Sequence, residues 1–363
     1  MAANKFMKKL MEMENAVQGD KNRFTKVIQT PSPSVNFSFG KGAGLPRGYS
    51  AVFYGPPKGG KTLLLNATIG QLHRDDPEAI AIKFDTEMRE EGQLPPTEAA
   101  KWGIDTERYV CFSTNNPMAI FDKIGIEIAA MCQDGAPIAL IGIDSINSIM
   151  GRRALNQTTI ETQQMGDEAM TIQVGLKSIL ETQRKHDIAL IMTAHVRAEM
   201  DTLEQKRGNK TRLAAAFGVQ HHTEYYLYVE RNRNKDARSD LLGQEFKDGE
   251  MADIAGNEDV TAHKIRTIMK ANSMGPAGRT GEFTLDYNKG IVNIHEEVFL
   301  LGVNRGIIER PNNVMYKFGD KEWKGEKAMV AAVRDYPEIG QAIMKELRRR
   351  DIEGLLKEEE SAV

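Results

Sequence analysis

Residues Gly55, Pro56, Pro57, Lys58, Gly59, Gly60, Lys61 and Thr62 follow an apolar run from Tyr49 to Tyr54 and precede a helical segment. Their spacing, G-x-x-x-x-G-K-[ST], is that of a phosphate loop, and a strand before it and a helix after it are its proper setting. Successive backbone N–H groups in such a loop turn inward and form an anion-binding nest. The helix that starts after it adds partial positive charge at its N-terminus. Lys61 is placed to reach the β- and γ-phosphates of a nucleotide, and the hydroxyl of Thr62 to hold Mg²⁺.

Three more strand ends carry groups that could complete a hydrolytic centre. The apolar run Ile138–Ile143 ends in Asp144, an acid of the type that supports Mg²⁺ through water beside a phosphate loop. The run Ala79–Phe84 ends in Asp85-Thr86-Glu87, where a carboxylate could orient and polarise an attacking water. Glu87 is the first choice and Asp85 the second; both could instead cap the following turn. The run Ile188–Ala194 ends in His195, which either senses the γ-phosphate or is a structural histidine.

Basic residues follow two of these strands. Arg152 and Arg153 come soon after Asp144, and Arg197, Lys206, Arg207, Lys210 and Arg212 come after His195. Side chains of this kind bind nucleic-acid phosphates, setting affinity and not sequence preference. A γ-phosphate sensor joined to a basic loop couples nucleotide state to anion binding by ordering the loop. A solvated basic loop is the plain alternative.

The elements that must position these groups can be read from the apolar pattern. Strands are expected at 49–54, 79–84, 109–112, 138–143, 188–193, 225–230, 262–269 and 281–286, with helices near 61–74, 117–132 and 165–185. Alternation of this kind predicts an α/β fold with a twisted, mostly parallel sheet. The last strands are close together, so that edge is expected to be antiparallel. Residues 4–18 read as an amphipathic helix with Phe6, Leu10, Met13 and Val17 on one side, and 23–28 as a short strand. The expected division is 1–35 as an oligomerisation helix and linker, 36–295 as the core, 296–350 as a small C-terminal unit and 351–363 as an acidic tail. Residues 197–217 and 232–259 have loop composition.

Composition narrows the class. The 363 residues are 40% apolar, with no run near the ~20 residues of a membrane helix, so no membrane partner is expected. No secretory signal is visible. Two cysteines form neither a disulfide framework nor a zinc site, which favours a reducing compartment and a cytoplasmic location. The 18 methionines suit adaptable core filling. The net charge is −3, but residues 351–363 alone carry −4, which leaves the rest at +1. Such a tail either aids solubility or competes with an anionic ligand for basic surface.

In this order, the phosphate loop, Asp85-Thr86-Glu87, Ile143-Asp144-Ser145 and the strand ending at His195 resemble the RecA-type recombinase family, in its bacterial and phage forms. The resemblance covers about residues 34–350 and includes Gly44-Leu45-Pro46-Arg47-Gly48. Residues 296–350 are similar to the small α+β C-terminal domain of bacterial members, through Leu300–Val303, Gly306–Glu309, Lys317–Gly319 and Tyr336–Glu338. The family usually has Gln at position 195; His resembles the phage members.

The resemblance implies a RecA-like P-loop ATPase core using ATP and Mg²⁺, with Glu87 activating water. It implies that 152–166 and 197–217 are DNA-binding loops and that the N-terminal helix docks on the next subunit. ATP then lies at a subunit interface, with Lys270 reaching across it. Three positions depart from the family pattern. Asn272 stands where a second lysine is common, with Arg279 as a possible substitute. Glu98 stands where an aromatic residue stacks on adenine, with Trp102 close by. The loop 197–217 lacks a Gly-Gly pair. The function implied is that of a DNA-dependent ATPase filament on single-stranded DNA that pairs it with double-stranded DNA and promotes strand exchange. A hexameric helicase core of the same superfamily and a non-catalytic ATP-binding assembly protein are the alternatives; the first 35 residues are short for the helicase's extra domain.

Overall fold

The computed structural model describes residues 26–40, 43–89, 95–156, 166–198, 211–213, 217–232, 238–239 and 262–361, together with Lys9. In chain order its strands are β1 (Val27–Ile28), β2 (Leu45–Pro46), β3 (Ser50–Gly55), β4 (Ile80–Asp85), β5 (Tyr109–Ser113), β6 (Ile138–Asp144), β7 (Ala189–Ala198) and β8 (Thr211–Leu213). They continue as β9 (Tyr225–Arg231), β10 (Arg238–Ser239), β11 (Ala262–Asn272), β12 (Thr280–Asp286), β13 (Gly290–Val292), β14 (Met315–Phe318) and β15 (Lys321–Lys324). The expected N-terminal helix lies outside the described residues, as does most of 232–259.

The central sheet runs β13-β12-β11-β9-β3-β7-β6-β4-β5, with β10 beside β11 and β8 folded back on β7. From β9 to β5 every neighbouring pair is parallel. From β9 to β13 the pairs are antiparallel, as the short connections β11–β12 and β12–β13 require for their two pairs. The chain is therefore α/β with a mostly parallel sheet.

The central parallel strands β3, β4 and β6 are buried on both faces, which is why they read as continuous apolar runs. Successive side chains still alternate between faces. Ala51 and Phe53 of β3, and Ala189 and Ile191 of β7, pack into one core with the helix Lys61–Asp75. Val52 and Tyr54, and Leu190 and Met192, pack into a second core with the helix Asp167–Lys185 and the segment Pro117–Gln133. That segment is one apolar stretch whose middle, Lys123–Ile128, winds as π-helix, between α-helical Pro117–Asp122 and Ala129–Gln133. It packs tightly on its neighbour: a Cβ on Gly175 would sit 2.2 Å from the Phe121 ring.

A third apolar cluster joins the helices Ile294–Asn304, Glu326–Asp335 and Pro337–Ser361 with the hairpin β14–β15. Phe37, in the short helix Pro33–Ser38, and Ala43 also contribute to it. At this junction Glu297 is buried. Its Oε2 accepts from the Ser32 hydroxyl at 2.5 Å and from the Ser34 N–H at 3.2 Å. Its Oε1 is buried with no hydrogen-bond partner. Burial pushes the carboxyl up to about 7, against the Ser32 and Ser34 bonds that favour the anion.

A raised folded-state value has one sign. The folded chain binds the proton more tightly than the unfolded chain, so stability is highest below the ordinary range near 4.5 and falls as pH rises through 7. The loss is on the order of 3 kcal/mol. Glu297→Gln keeps an acceptor for Ser32 and Ser34 and removes the titration. Urea unfolding is expected to show the variant close to wild type at pH 4.5, where the folded Glu297 is neutral like the amide. At pH 8 the variant should be more stable by about 1–3 kcal/mol. A difference independent of pH would contradict this.

Candidate active site

The phosphate loop leaves β3 at Gly55, and its glycines are required sterically. A Cβ on Gly55 would sit 2.0 Å from the Val229 carbonyl of β9, and one on Gly59 would sit 2.8 Å from the same oxygen. Gly60, at φ +96, caps the helix Lys61–Asp75 in the left-handed region, where a side chain is strained. The loop thus lies close against β9 and opens onto the N-terminus of a 15-residue helix, a combination that suits a phosphate group.

Lys61 is 6% exposed. Its Nζ donates to the Gly55 carbonyl at 3.1 Å and the Pro56 carbonyl at 2.8 Å, closing the loop. Burial pulls the ammonium down to about 8, while the Asp144 and Glu87 carboxylates pull it up. Thr62 follows, and its hydroxyl donates to Asp144 Oδ1 at 3.2 Å. The Thr193 hydroxyl of β7 donates to the same oxygen. A hydroxyl and a carboxylate oxygen side by side are hard donors and fit Mg²⁺, which takes one or two protein oxygens and completes its shell with phosphate and water.

Strand register explains how these groups meet. Side chains 81, 83 and 85 of β4 project to the face opposite Ile82 and Phe84, which pack into the second core. The register pairs Asp85 with Asp144 across β4 and β6, and Gly55 with His195 across β3 and β7. Glu87 follows β4 directly. Its Oε1 accepts from the Ser145 hydroxyl at 3.0 Å and lies 3.3 Å from His195 Nε2. Its Oε2 is 2.5 Å from the exposed Arg89 guanidinium. The His195 N–H donates to the Asn147 side chain at 2.8 Å. Asp85 bonds the Glu87 N–H at 3.2 Å and so supports the turn. Lys61, Thr62, Asp144, Glu87 and His195 therefore gather at the C-terminal ends of adjacent strands, where open parallel sheets bind ligands.

Other expected residues stand apart. Arg152 and Arg153 are exposed, with their backbone N–H groups held by Thr171 and Asp167. Arg197 is exposed, and the β7–β8 register sets it opposite Arg212. Lys206, Arg207 and Lys210 lie outside the described residues. Lys270 is exposed at a bulge in β11, with its ammonium 6.0 Å from the Tyr228 ring. It stands on β11, two strands away from β3. Arg279 donates to the Phe37 carbonyl and Asn272 to the Phe39 carbonyl, so both tie the segment 37–39 to the sheet. Trp102 is 2% exposed in the core and offers no face to a base; Glu98 pairs with Lys101 at 2.6 Å.

Three polar groups that touch the site were not singled out in the sequence, Lys83, Thr193 and Asn147, and Ser145 was named there only as part of a motif, without a role. A signal existed for two of them, since Lys83 and Thr193 are polar residues inside otherwise apolar strands. Lys83 Nζ lies 3.5 Å from Asp144 Oδ2 and donates to Asn66 at 3.2 Å.

Known proteins resemble the chain along most of its length. The family described as the RecA N-terminal domain matches residues 4–247. Protein RecA of Paenarthrobacter aurescens is 26% identical over 344 residues, which cover 93% of this chain and 87% of its own. Protein RecA of Methylococcus capsulatus is 22% identical over 328 residues, covering 90% and 84%.

Proposed function

Since the chain belongs to the RecA N-terminal domain family, we propose that it is an ATP-dependent recombinase that assembles on single-stranded DNA and promotes homologous pairing and strand exchange. The observation that carries this reading is a convergence. The phosphate loop, the Thr62–Asp144 pair and the Glu87–His195 pair meet at one edge of the sheet. The basic segments after β6 and β7 leave from the same edge, because those strands are parallel neighbours.

In this reading Lys61 and the loop N–H groups hold the nucleotide phosphates. Thr62 and Asp144 hold Mg²⁺, whose charge offsets that of the phosphates when it is bound. Glu87 orients the attacking water and accepts its proton. His195, hydrogen-bonded to Glu87 and one strand from the loop, responds to the γ-phosphate and passes that state to the segment beyond Arg197. Arg152, Arg153, Arg197, Lys206, Arg207, Lys210 and Arg212 bind DNA phosphates.

Self-assembly is part of the proposal. Among the described residues β5 is one edge strand of the sheet, with β13 at the other end. Val110 on β5, Met118, Ile126 and Met131 on the segment 117–133, and Met170 and Val174 on the helix Asp167–Lys185 that packs against that segment are exposed, Ile126 and Met170 at 67% each. Apolar residues gathered on one side of a protein mark an interaction surface. The amphipathic helix read at 4–18 is its proposed occupant, from the next subunit. Lys270, remote from the loop of its own subunit, is free in this reading to serve the neighbour's nucleotide. The division into core (36–295) and C-terminal unit (296–350) belongs to the same reading and is supported by the separate third apolar cluster.

Electron microscopy with a non-hydrolysable ATP analogue and single-stranded DNA tests the assembly. Open helical filaments are expected. Closed rings that unwind duplex DNA would favour the helicase alternative, and DNA-free polymers would favour the non-catalytic one.

A further inference from the structure

Lys83 stands in the middle of β4, surrounded in sequence by apolar residues. Its side chain is 1% exposed, and a buried ammonium is tolerated only beside an opposite charge and hydrogen-bond acceptors. Both are present: Asp144 Oδ2 at 3.5 Å and Asn66 Oδ1 at 3.2 Å. Asn66 sits one helical turn beyond Thr62, so Lys83 links β4, β6 and the helix that follows the phosphate loop. The two oxygens of Asp144 have divided surroundings. Oδ1 takes the hydroxyls of Thr62 and Thr193, and Oδ2 faces the ammonium.

We propose that Lys83 is a positioning residue of the ATPase centre: an internal cation that anchors Asp144 through Oδ2, keeps Oδ1 turned toward Thr62, and opposes a divalent cation held there. The inference rests on the ATPase reading above. Its geometric part holds the carboxylate where the reaction needs it. Its electrostatic part is a fixed positive charge in a poorly screened site, which raises the Mg²⁺ concentration required for nucleotide binding.

The two parts are separable. Lys83→Gln retains a donor for Asn66 and Asp144 but removes the charge, whereas Lys83→Arg retains the charge. Binding of a fluorescent non-hydrolysable ATP analogue is measured on the full chain as Mg²⁺ is titrated, with thermal unfolding followed in parallel. Lys83→Gln, which removes the charge, is expected to lower the Mg²⁺ midpoint by about five- to tenfold. Lys83→Arg should stay within about twofold of the wild-type midpoint.

A lysine that served stability alone would lower the melting temperature and leave the midpoint in place. An unchanged or raised midpoint in a folded Lys83→Gln protein overturns the proposal. Should that variant not fold, Lys83→Arg decides: a wild-type midpoint with reduced kcat supports the assignment, and a shifted midpoint overturns it. Wild-type binding that ignores Mg²⁺ altogether would remove the ATPase reading as well, so the two failures are distinguishable.

Discussion

Replacing Lys61 by alanine is expected to reduce ATP hydrolysis by about a thousandfold or more, the scale of losing a preorganised charge at the transferring phosphoryl group. The residue is committed to that place. Its side chain is 6% exposed and spans to the carbonyls of Gly55 and Pro56. Burial lowers its affinity for a proton, toward about 8, and a phosphate anion arriving beside it favours the charged form. No other cation among the described residues is hydrogen-bonded to the loop carbonyls at 55 and 56. Removing Lys61 costs nucleotide affinity as well as turnover. Phosphate release and analogue binding measured together check this; turnover near wild type would remove Lys61 from the mechanism.

Glu87→Gln is expected to act differently. The amide keeps the size of the side chain and can still bond Ser145 and His195, but it cannot accept a proton from water. Loss of a general base costs about 10²–10⁴ in rate. Nucleotide binding should remain within a few-fold of wild type, because neither the phosphate loop nor Asp144 is touched. A protein that binds ATP but cannot turn it over should stay on single-stranded DNA in the presence of ATP alone, where the wild type dissociates. Dissociation rates from labelled DNA measure this. Normal turnover in the variant would refute the role of Glu87, and normal dissociation with slow turnover would separate hydrolysis from release.

The strands of the parallel core were legible because burial on both faces makes each a run of apolar residues ended by a polar one. Those ends carried Asp144, Glu87 and His195, so the candidate centre could be assembled from sequence alone. The spacing of the phosphate loop did the rest, although the contact that requires Gly55, the Val229 carbonyl of β9, comes from far along the chain. What could not be read depends on strand order. Lys83 meets Asp144 because β4 and β6 are neighbours although β5 lies between them in the chain. Thr193 meets the same carboxylate from β7. Glu297 is bonded by Ser32, 265 residues away, so its burial left no local trace. The burial of Trp102, 2% exposed in the core, was equally unreadable from its place near Glu98 in the sequence. The π-helical turn at Lys123–Ile128 also stayed hidden, because its apolar spacing satisfies a helix of either pitch.

The account's central claim is that nucleotide state controls DNA affinity through the Glu87–His195 edge and the basic segments beyond it. Fluorescence anisotropy of labelled single-stranded DNA, titrated with the full chain at fixed salt, tests it directly. With the non-hydrolysable ATP analogue and Mg²⁺, affinity should be at least about tenfold tighter than with ADP or no nucleotide, a coupling of about 1.4 kcal/mol. Equal affinity in the three states would contradict the account.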